Sequence, residues 1–343
     1  MKILAIDIGA GTQDILLFDS EKKIENCISL VLPTPSKILA EKLKKIEGDI
    51  YIYGDTIGGG SLSRAILHHI QKGYRVIMAE SSAYSIRNDL DEVKSMGIAV
   101  GGRPGSGNFN ELEIQEVDLP LLTSFFSNFV ENLKINIIAI AVQDHGVSPK
   151  GVSDRLFRFK NMEAMLRRNN RPEAFHYLED SIPAYYLRMK SAVSAVRRSS
   201  QVPVLVMDTS FSAILGCMEE ADGPSLIVNV GNGHTIAALL IGKRIEGLYE
   251  HHTHELTTKK LEEDLRLFVR GGLSSQKVFD ENGHGAITLT PYEGDISVLV
   301  TGPNRDLFRG TSFKYSYAAP GGNTMMTGPM GLVRAAQFQF GAK

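Results

Sequence analysis

Asp7-Ile8-Gly9-Ala10-Gly11-Thr12-Gln13-Asp14 is the stretch whose reading decides the fold. It follows Ile3 to Ile6, a continuous apolar run suited to a buried strand, and it precedes a second apolar run, Ile15 to Phe18. The glycines let the chain reverse and let backbone N–H groups approach an anion with no Cβ in the way, and Thr12 adds a hydroxyl donor. A dinucleotide fingerprint needs a helix after its glycines. Here a strand follows, with no third glycine at Gln13 or Asp14, so that reading fails. The polar turn Asp19 to Lys23 leads to a third strand around Ile28 to Leu32, and Pro35-Ser36 opens a helix through about Lys45.

The same order returns about 220 residues later. Leu226 to Val230 is an apolar run, Gly231-Asn232-Gly233-His234-Thr235 the turn, and Ile236 to Ile241 the second apolar run. Gly242-Lys243 reverses the chain, Ile245 to Tyr249 returns as a third strand, and a helix is expected from about Leu256 to Arg270. A structural unit has been duplicated. Between the copies, strands at Asp49–Gly54, Arg75–Ala79, Ile98–Val100, Ile135–Val142 and Pro203–Met207 alternate with helical stretches. These include a helix after Gly58-Gly59-Gly60, an apolar helix over Leu119–Leu133, and a mostly helical Arg171–Arg198. Such alternation predicts an α/β protein.

Bulk properties bound the function. A chain of 343 residues exceeds what one core usually serves. Formal net charge of −2 offers no global field for nucleic acid or acidic membranes. No apolar run approaches the roughly 18 residues of a membrane span. The expectation is a cytoplasmic protein with no nucleic-acid or membrane partner. Cys27 and Cys217 are the only cysteines, too few for an iron–sulfur cluster or a four-thiolate zinc site.

Several residues could carry chemistry. Asp7, ending its strand, can hold Mg²⁺ through water, and Asp14 lies just past the turn. Asp144, in Gln143-Asp144-His145-Gly146 after a buried strand, is either a carboxylate facing the cleft or a loop cap, with Asp208 its competitor. Among His251, His252 and His254 at most His252 and His254 share a face, which leaves a metal site short of a third ligand. Gly58-Gly59-Gly60 is either an anion-binding helix start, helped by Arg64, or a simple connection.

Asp7 to Asp14 resembles the first phosphate motif of the actin, sugar-kinase and heat-shock-chaperone ATPase superfamily. Asn229 to Thr235 resembles its second. Val298-Leu299-Val300-Thr301-Gly302-Pro303-Asn304 is similar to its adenosine motif. The three stand in the superfamily's order and span nearly the whole chain. The resemblance implies an α/β architecture of two actin-like ATPase (ribonuclease H-like) half-domains with a nucleotide cleft between them. The first would cover 1–200 with an inserted α/β segment near 47–118, the second 201–327, and a C-terminal helix, 328–343, would return to the first.

It further implies ATP and Mg²⁺ as cofactors. Gly9, Gly11, Thr12, Asp14, Gly231, Asn232, Gly233, His234, Thr235 and Gly302 would surround the nucleotide, Asp7 would hold the metal, and Asp144 would activate a small-molecule acceptor. One departure matters: the superfamily usually begins its second phosphate motif with an acid, and this chain has Asn229. That favours binding over catalysis and keeps open a nucleotide-sensing regulator of a partner protein, or a cleft turned to an anionic metabolite.

More closely, the chain resembles an uncharacterised prokaryotic family labelled "putative pyruvate formate-lyase activating enzyme". The resemblance is carried by Gly58-Gly59-Gly60, Gln143-Asp144-His145-Gly146, Asn229 to Thr235, Glu250-His251-His252-Thr253 and Met325-Met326-Thr327-Gly328-Pro329. The radical chemistry in that label is at odds with two cysteines.

Overall fold

A computed structural model describes residues 1–341. The chain opens with β1 (Lys2–Ile8), β2 (Thr12–Asp19), β3 (Ile28–Pro33) and α1 (Pro35–Lys44). β1 is apolar on both faces because it lies inside its sheet, and α1 starts where the Thr34 hydroxyl accepts from the Lys37 N–H with Pro35 at its first position. Next come β4 (Ile50–Gly54), α2 (Gly60–Gln71), β5 (Val76–Met78), α3 (Glu80–Ala83), α4 (Leu90–Ser95), β6 (Ile98–Val100) and β7 (Asn110–Ile114). These four strands form a separate parallel sheet, ordered β6-β5-β4-β7, with its own core around Ile50, Ile52, Leu62 and Ile66. β7 alternates charged and apolar residues but sits beside a glycine-rich loop, and sequence reading passed over it.

The first half-domain resumes with α5 (Leu119–Ser127), β8 (Ile137–Val142), α6 (Asp154–Arg168), β9 (His176–Leu178), α7 (Leu187–Arg197), β10 (Val204–Met207) and α8 (Thr209–Cys217). Two helical expectations need correction. The helix over Leu119–Leu133 ends at Ser127, and Asn132 takes a left-handed φ of 51°. The Arg171–Arg198 stretch holds the edge strand β9 between single 3-10 turns and is α-helical only from Leu187, because Pro172 and Pro183 interrupt it.

The second half-domain has β11 (Ser225–Val230), β12 (His234–Ile241), β13 (Arg244–His252), α9 (Thr258–Val269), α10 (Ser275–Asp280), β14 (Gly285–Thr288), β15 (Ser297–Thr301) and β16 (Tyr315–Tyr317). α11 (Thr327–Phe340) closes the description. Ala342 and Lys343, at the end of the helical segment expected over 328–343, lie outside the described residues.

The first sheet runs β3-β2-β1-β8-β10-β9 and the second β14-β13-β12-β11-β15-β16. In each, an antiparallel meander joins two parallel strands: β3-β2-β1-β8-β10 corresponds to β13-β12-β11-β15-β16. This is a duplicated ribonuclease H-like unit, and the protein has the actin-like α/β architecture of two half-domains. The first extends further than the 1–200 expected, since β10 hydrogen-bonds to β8.

Equivalent helices α8 and α11 cross between the sheets. One core joins Ile3 and Ala5 of the first sheet, Ile227 and Ile236 of the second, and Phe211, Ile214, Leu332 and Val333 of the two helices. Burying each of the larger of these side chains contributes about 1.5–3 kcal/mol. The starts of both helices form the floor of the cleft. No helix among the described residues is long and apolar enough to cross a membrane.

Candidate functional site

The two glycine turns are superimposable in hydrogen bonding. Gly9 N–H donates to Thr12 O at 3.0 Å, and Gly231 N–H donates to His234 O at 2.9 Å. The equivalence therefore pairs Asp7 with Asn229, Ala10 with Asn232, Gly11 with Gly233, Thr12 with His234 and Asp14 with Ile236. Across the cleft Gly11 meets Asn232 so closely that a Cβ on Gly11 would overlap the Asn232 amide. The turns face each other over a cavity of about 110 Å³. Asp7, Gly9, Gly11, Thr12, Asp14, Gly231, Asn232, Gly233, His234 and Gly302 all line it, as do Thr209 and Ser210 at the start of α8 and Thr327 at the start of α11.

Thr235 is the exception among the expected nucleotide contacts. It is fully buried, and its hydroxyl pairs with that of Thr253 at 3.1 Å, which in turn donates to Gly231 O at 2.8 Å. One residue beyond the turn, strand alternation sends its side chain inward, so Thr235 braces the turn from behind.

Two carboxylates dominate the first turn. Asp7 and Asp14 are directly paired across β1 and β2 and so share a face of the sheet. Asp7 Oδ1 and Asp14 Oδ1 are buried with no hydrogen-bond partner among the described residues. Burial, then the neighbouring carboxylate of Asp14, pushes Asp7 up to about 8 against the opposing hydroxyl of Thr209. Burial pushes Asp14 up to about 7. Gly328 is packed directly on Asp7, where a Cβ would overlap the carboxylate.

The other acids near the cleft are satisfied. Arg158 of α6 donates to Glu250 through Nε at 2.9 Å, and to Asp208 through its terminal nitrogens at 2.8 and 3.1 Å. Glu116 pairs with Arg188 at 2.7 Å and accepts from Gly58 N–H at 3.0 Å. A buried carboxylate left without a partner is costly. Asp7 and Asp14 therefore stand apart, and their free oxygens could hold a cation.

Asp144 has a different duty from the acceptor-activating base expected of it. It does not line the clamp cavity; it accepts from Gly146 N–H at 2.9 Å and from Met189 N–H, in the first turn of α7, at 3.0 Å. Burial raises its pKa against those two bonds. This is the loop-capping alternative, and it holds the Gln143–Gly146 corner in place.

That corner walls two further cavities. One, of about 190 Å³, lies beside the first turn and is lined by Gly9, Ala10, Ser36, Gly58–Gly60, Gln143 and Arg188. The other, of about 320 Å³, is lined by Gly58–Gly60, Asp144, His145 and Arg188. Gly58–Gly60 is thus a packed wall between the inserted sheet and the cleft. Arg64 does not line either cavity.

Of the histidine run, His252 and His254 do share a side, with ring centroids 5.3 Å apart, while His251 points the other way. His251 is fully buried, His252 gives Nδ1 to Asn282 O at 2.8 Å, and His254 is exposed beside Glu255. Sequence reading missed Arg158, which sits mid-helix with partners about 50 and 92 positions away, and it missed His284. No local pattern marks either.

Residues 57–307 match the model of a family described as "Putative pyruvate format-lyase activating enzyme (DUF1786)". No curated protein matches the chain significantly. Among solved structures the chain is similar to ethanolamine utilization protein EutJ from Carboxydothermus hydrogenoformans, at 8% identity over 97% of this chain and 89% of that one, TM-score 0.38. It is similar to a ROK hexokinase from Thermus thermophilus, at 14% identity over 100% of both chains, TM-score 0.35. A third is the activator of the 2-hydroxyisocaproyl-CoA dehydratase from Clostridium difficile with bound ADPNP, at 9% identity over 100% and 98%, TM-score 0.36. These likenesses are distant, and the fold assignment rests on the strand orders above.

Proposed function

We propose that this chain, which belongs to the DUF1786 family, binds ATP with Mg²⁺ between its two glycine turns and uses the bound nucleotide for phosphoryl transfer or hydrolysis. The observation that carries this reading is the pair of unpartnered carboxylate oxygens on Asp7 and Asp14, set against two equivalent turns whose backbone N–H groups can receive phosphate. Bound there, Mg²⁺ would supply neutralisation of phosphate charge. Asp7 and Asp14 would hold it through oxygen or water, Thr12 and the starts of α8 and α11 would face the phosphates, and the Gly302 corner would face the nucleoside. Helix starts favour anions.

The cavity of about 110 Å³ is below the roughly 300–1,000 Å³ of ordinary ligand sites, so admission requires the half-domains to part at the Gly11–Asn232 contact. The cavity beside Gly9 and Gly58–Gly60 is the place for a small acceptor. The radical chemistry in the family's description does not fit. It needs three or four thiolates, whereas Cys27 and Cys217 are the only two, and Cys217 is buried inside α8.

A second reading, a nucleotide-sensing regulator whose closure signals to a partner protein, is favoured by Asn229 at the position equivalent to Asp7 and by the capped state of Asp144. Calorimetry with ATP and ADP, with and without Mg²⁺, tests the shared premise. Mg²⁺-dependent binding is expected, and no heat at millimolar nucleotide would sink both readings. Turnover then separates them, since a sensor binds ATP without consuming it.

A further inference from the structure

His145, His234 and His284 come from three parts of the chain that lie far apart in sequence. His145 follows β8 in the first half-domain; His234 opens β12 at the second glycine turn, and His284 immediately precedes β14. One ring nitrogen from each lies within 4.8 Å of the others. We propose that these three histidines bind one borderline transition-metal dication, of the zinc, cobalt(II) or iron(II) kind, across the cleft.

The arrangement is poorly explained as packing. His284 is fully buried, and neither of its ring nitrogens has a hydrogen-bond partner; His234 Nε2 is likewise buried and unpartnered. Buried imidazole nitrogens ordinarily find partners. The rings meet edge to face, with centroids 5.2 Å apart for His145–His234, 5.7 Å for His145–His284 and 4.8 Å for His234–His284. Metal–nitrogen bonds of about 2.0–2.1 Å in a tetrahedral site place donor atoms roughly 3.4 Å apart, so modest ring rotations close the site.

The surroundings suit the ligands. Gln143 Nε2 lies 2.5 Å from His234 Nδ1. With the amide turned so that its oxygen accepts from Nδ1–H, the Nε2 lone pair is free for a metal, and the heavy-atom positions are the same either way. His252 stands beside the group, its centroid 4.7 Å from that of His284, and its Nδ1 is fixed by Asn282 O. Arg158 brings a positive charge nearby, but with Asp208 and Glu250 it forms a triad of net charge −1. Three imidazoles select borderline metals, whereas Mg²⁺ takes oxygen, so this site is distinct from the Asp7–Asp14 pair. Three protein ligands leave a position for water or an anionic group, and His145 lines the cavity of about 320 Å³ that could admit one.

A metal held this way ties His145 of one half-domain to His234 and His284 of the other, and so favours the closed cleft. The inference does not depend on nucleotide, and its test contains none. The full chain is stripped with chelator and titrated with Co²⁺ or Zn²⁺ alone. One equivalent should bind per chain, Co²⁺ should develop visible bands of a low-coordinate nitrogen site, and the melting temperature should rise as binding to the native state requires.

His145→Gln, at a cavity wall outside the apolar core, should weaken binding by about 100-fold or more while the chain stays folded; His284→Gln should do the same if it folds. His68→Gln, on the exposed face of α2, should leave the affinity unchanged. Failure of the unsubstituted chain to bind stoichiometrically overturns the proposal. So does binding that survives His145→Gln, because that metal sits on surface histidines.

Discussion

The two glycine turns share a hydrogen-bonding scheme and differ in charge. The first presents Asp7 and Asp14 on one face of its hairpin; the second places Asn229 and Ile236 at the equivalent positions. In the first the residue closing the turn is Thr12, and in the second it is His234, which stands beside two other imidazoles. The duplicated backbone is therefore a common framework. The side chains have divided the labour, with hard oxygen donors on one side and nitrogen donors on the other. A duplicated fold conserves the placement of backbone N–H groups, which depends on strand pairing, and leaves each side-chain position free to specialise.

The largest expected effect comes from making the first turn like the second. Asp7→Asn removes the better-buried carboxylate, and Mg²⁺-dependent nucleotide affinity or turnover should fall on the order of 100-fold, since charge stabilisation by a metal is worth several kcal/mol. Calorimetry at fixed Mg²⁺ measures it, and an unchanged affinity would erase the functional distinction between the turns.

Next is pH. Asp7 and Asp14 titrate at about 8 and about 7 in the folded chain, against 3.8 for an unperturbed aspartate. Between roughly pH 4 and pH 8 the folded state then holds more protons than the unfolded one, so stability contributed by these groups falls as pH rises through that window. Thermal melts of the metal-free chain should drop by about 5 °C from pH 5.5 to pH 8.5 beyond any baseline change. Asp14→Asn should flatten the slope, and Mg²⁺ should do so in the unsubstituted chain. A melting temperature that rises across this range would contradict the burial of the pair.

The smallest effect concerns the back of the second turn. Thr235→Val removes the hydroxyl shared with Thr253 and should cost about 1 kcal/mol in denaturant unfolding. Gln13, its counterpart, faces solvent and reaches Pro33 O instead, so Gln13→Ala should cost less.

Much of this was legible in advance because it is local. Apolar runs around Ile3–Ile6 and Leu226–Val230, with glycines at fixed offsets, state where strands end and turns begin. Their repetition reveals the duplication without any contact being known. The reading failed where neighbours in sequence are not neighbours in space. Asp144 looked like a base because it ends a buried strand, but the N–H groups that occupy it come partly from Met189. His251, His252 and His254 drew attention because they are adjacent; strand alternation turns His251 away from the other two, and the imidazoles that converge with His234 come from His145 and His284 instead.

The sequence by itself determined the two turns, the acidic character of the first and the near absence of cysteine chemistry. These follow from residue type and short-range periodicity, and they suffice to place two equivalent glycine turns in a duplicated fold. Only the tertiary structure decided which carboxylates are left without partners and which histidines converge. A charge is satisfied, or an imidazole offered to a metal, by whatever the packed helices and sheets bring within a few ångströms. Arg158 claims Asp208 at the start of α8 and Glu250 of β13, and among the described residues no such ion pair reaches Asp7 or Asp14.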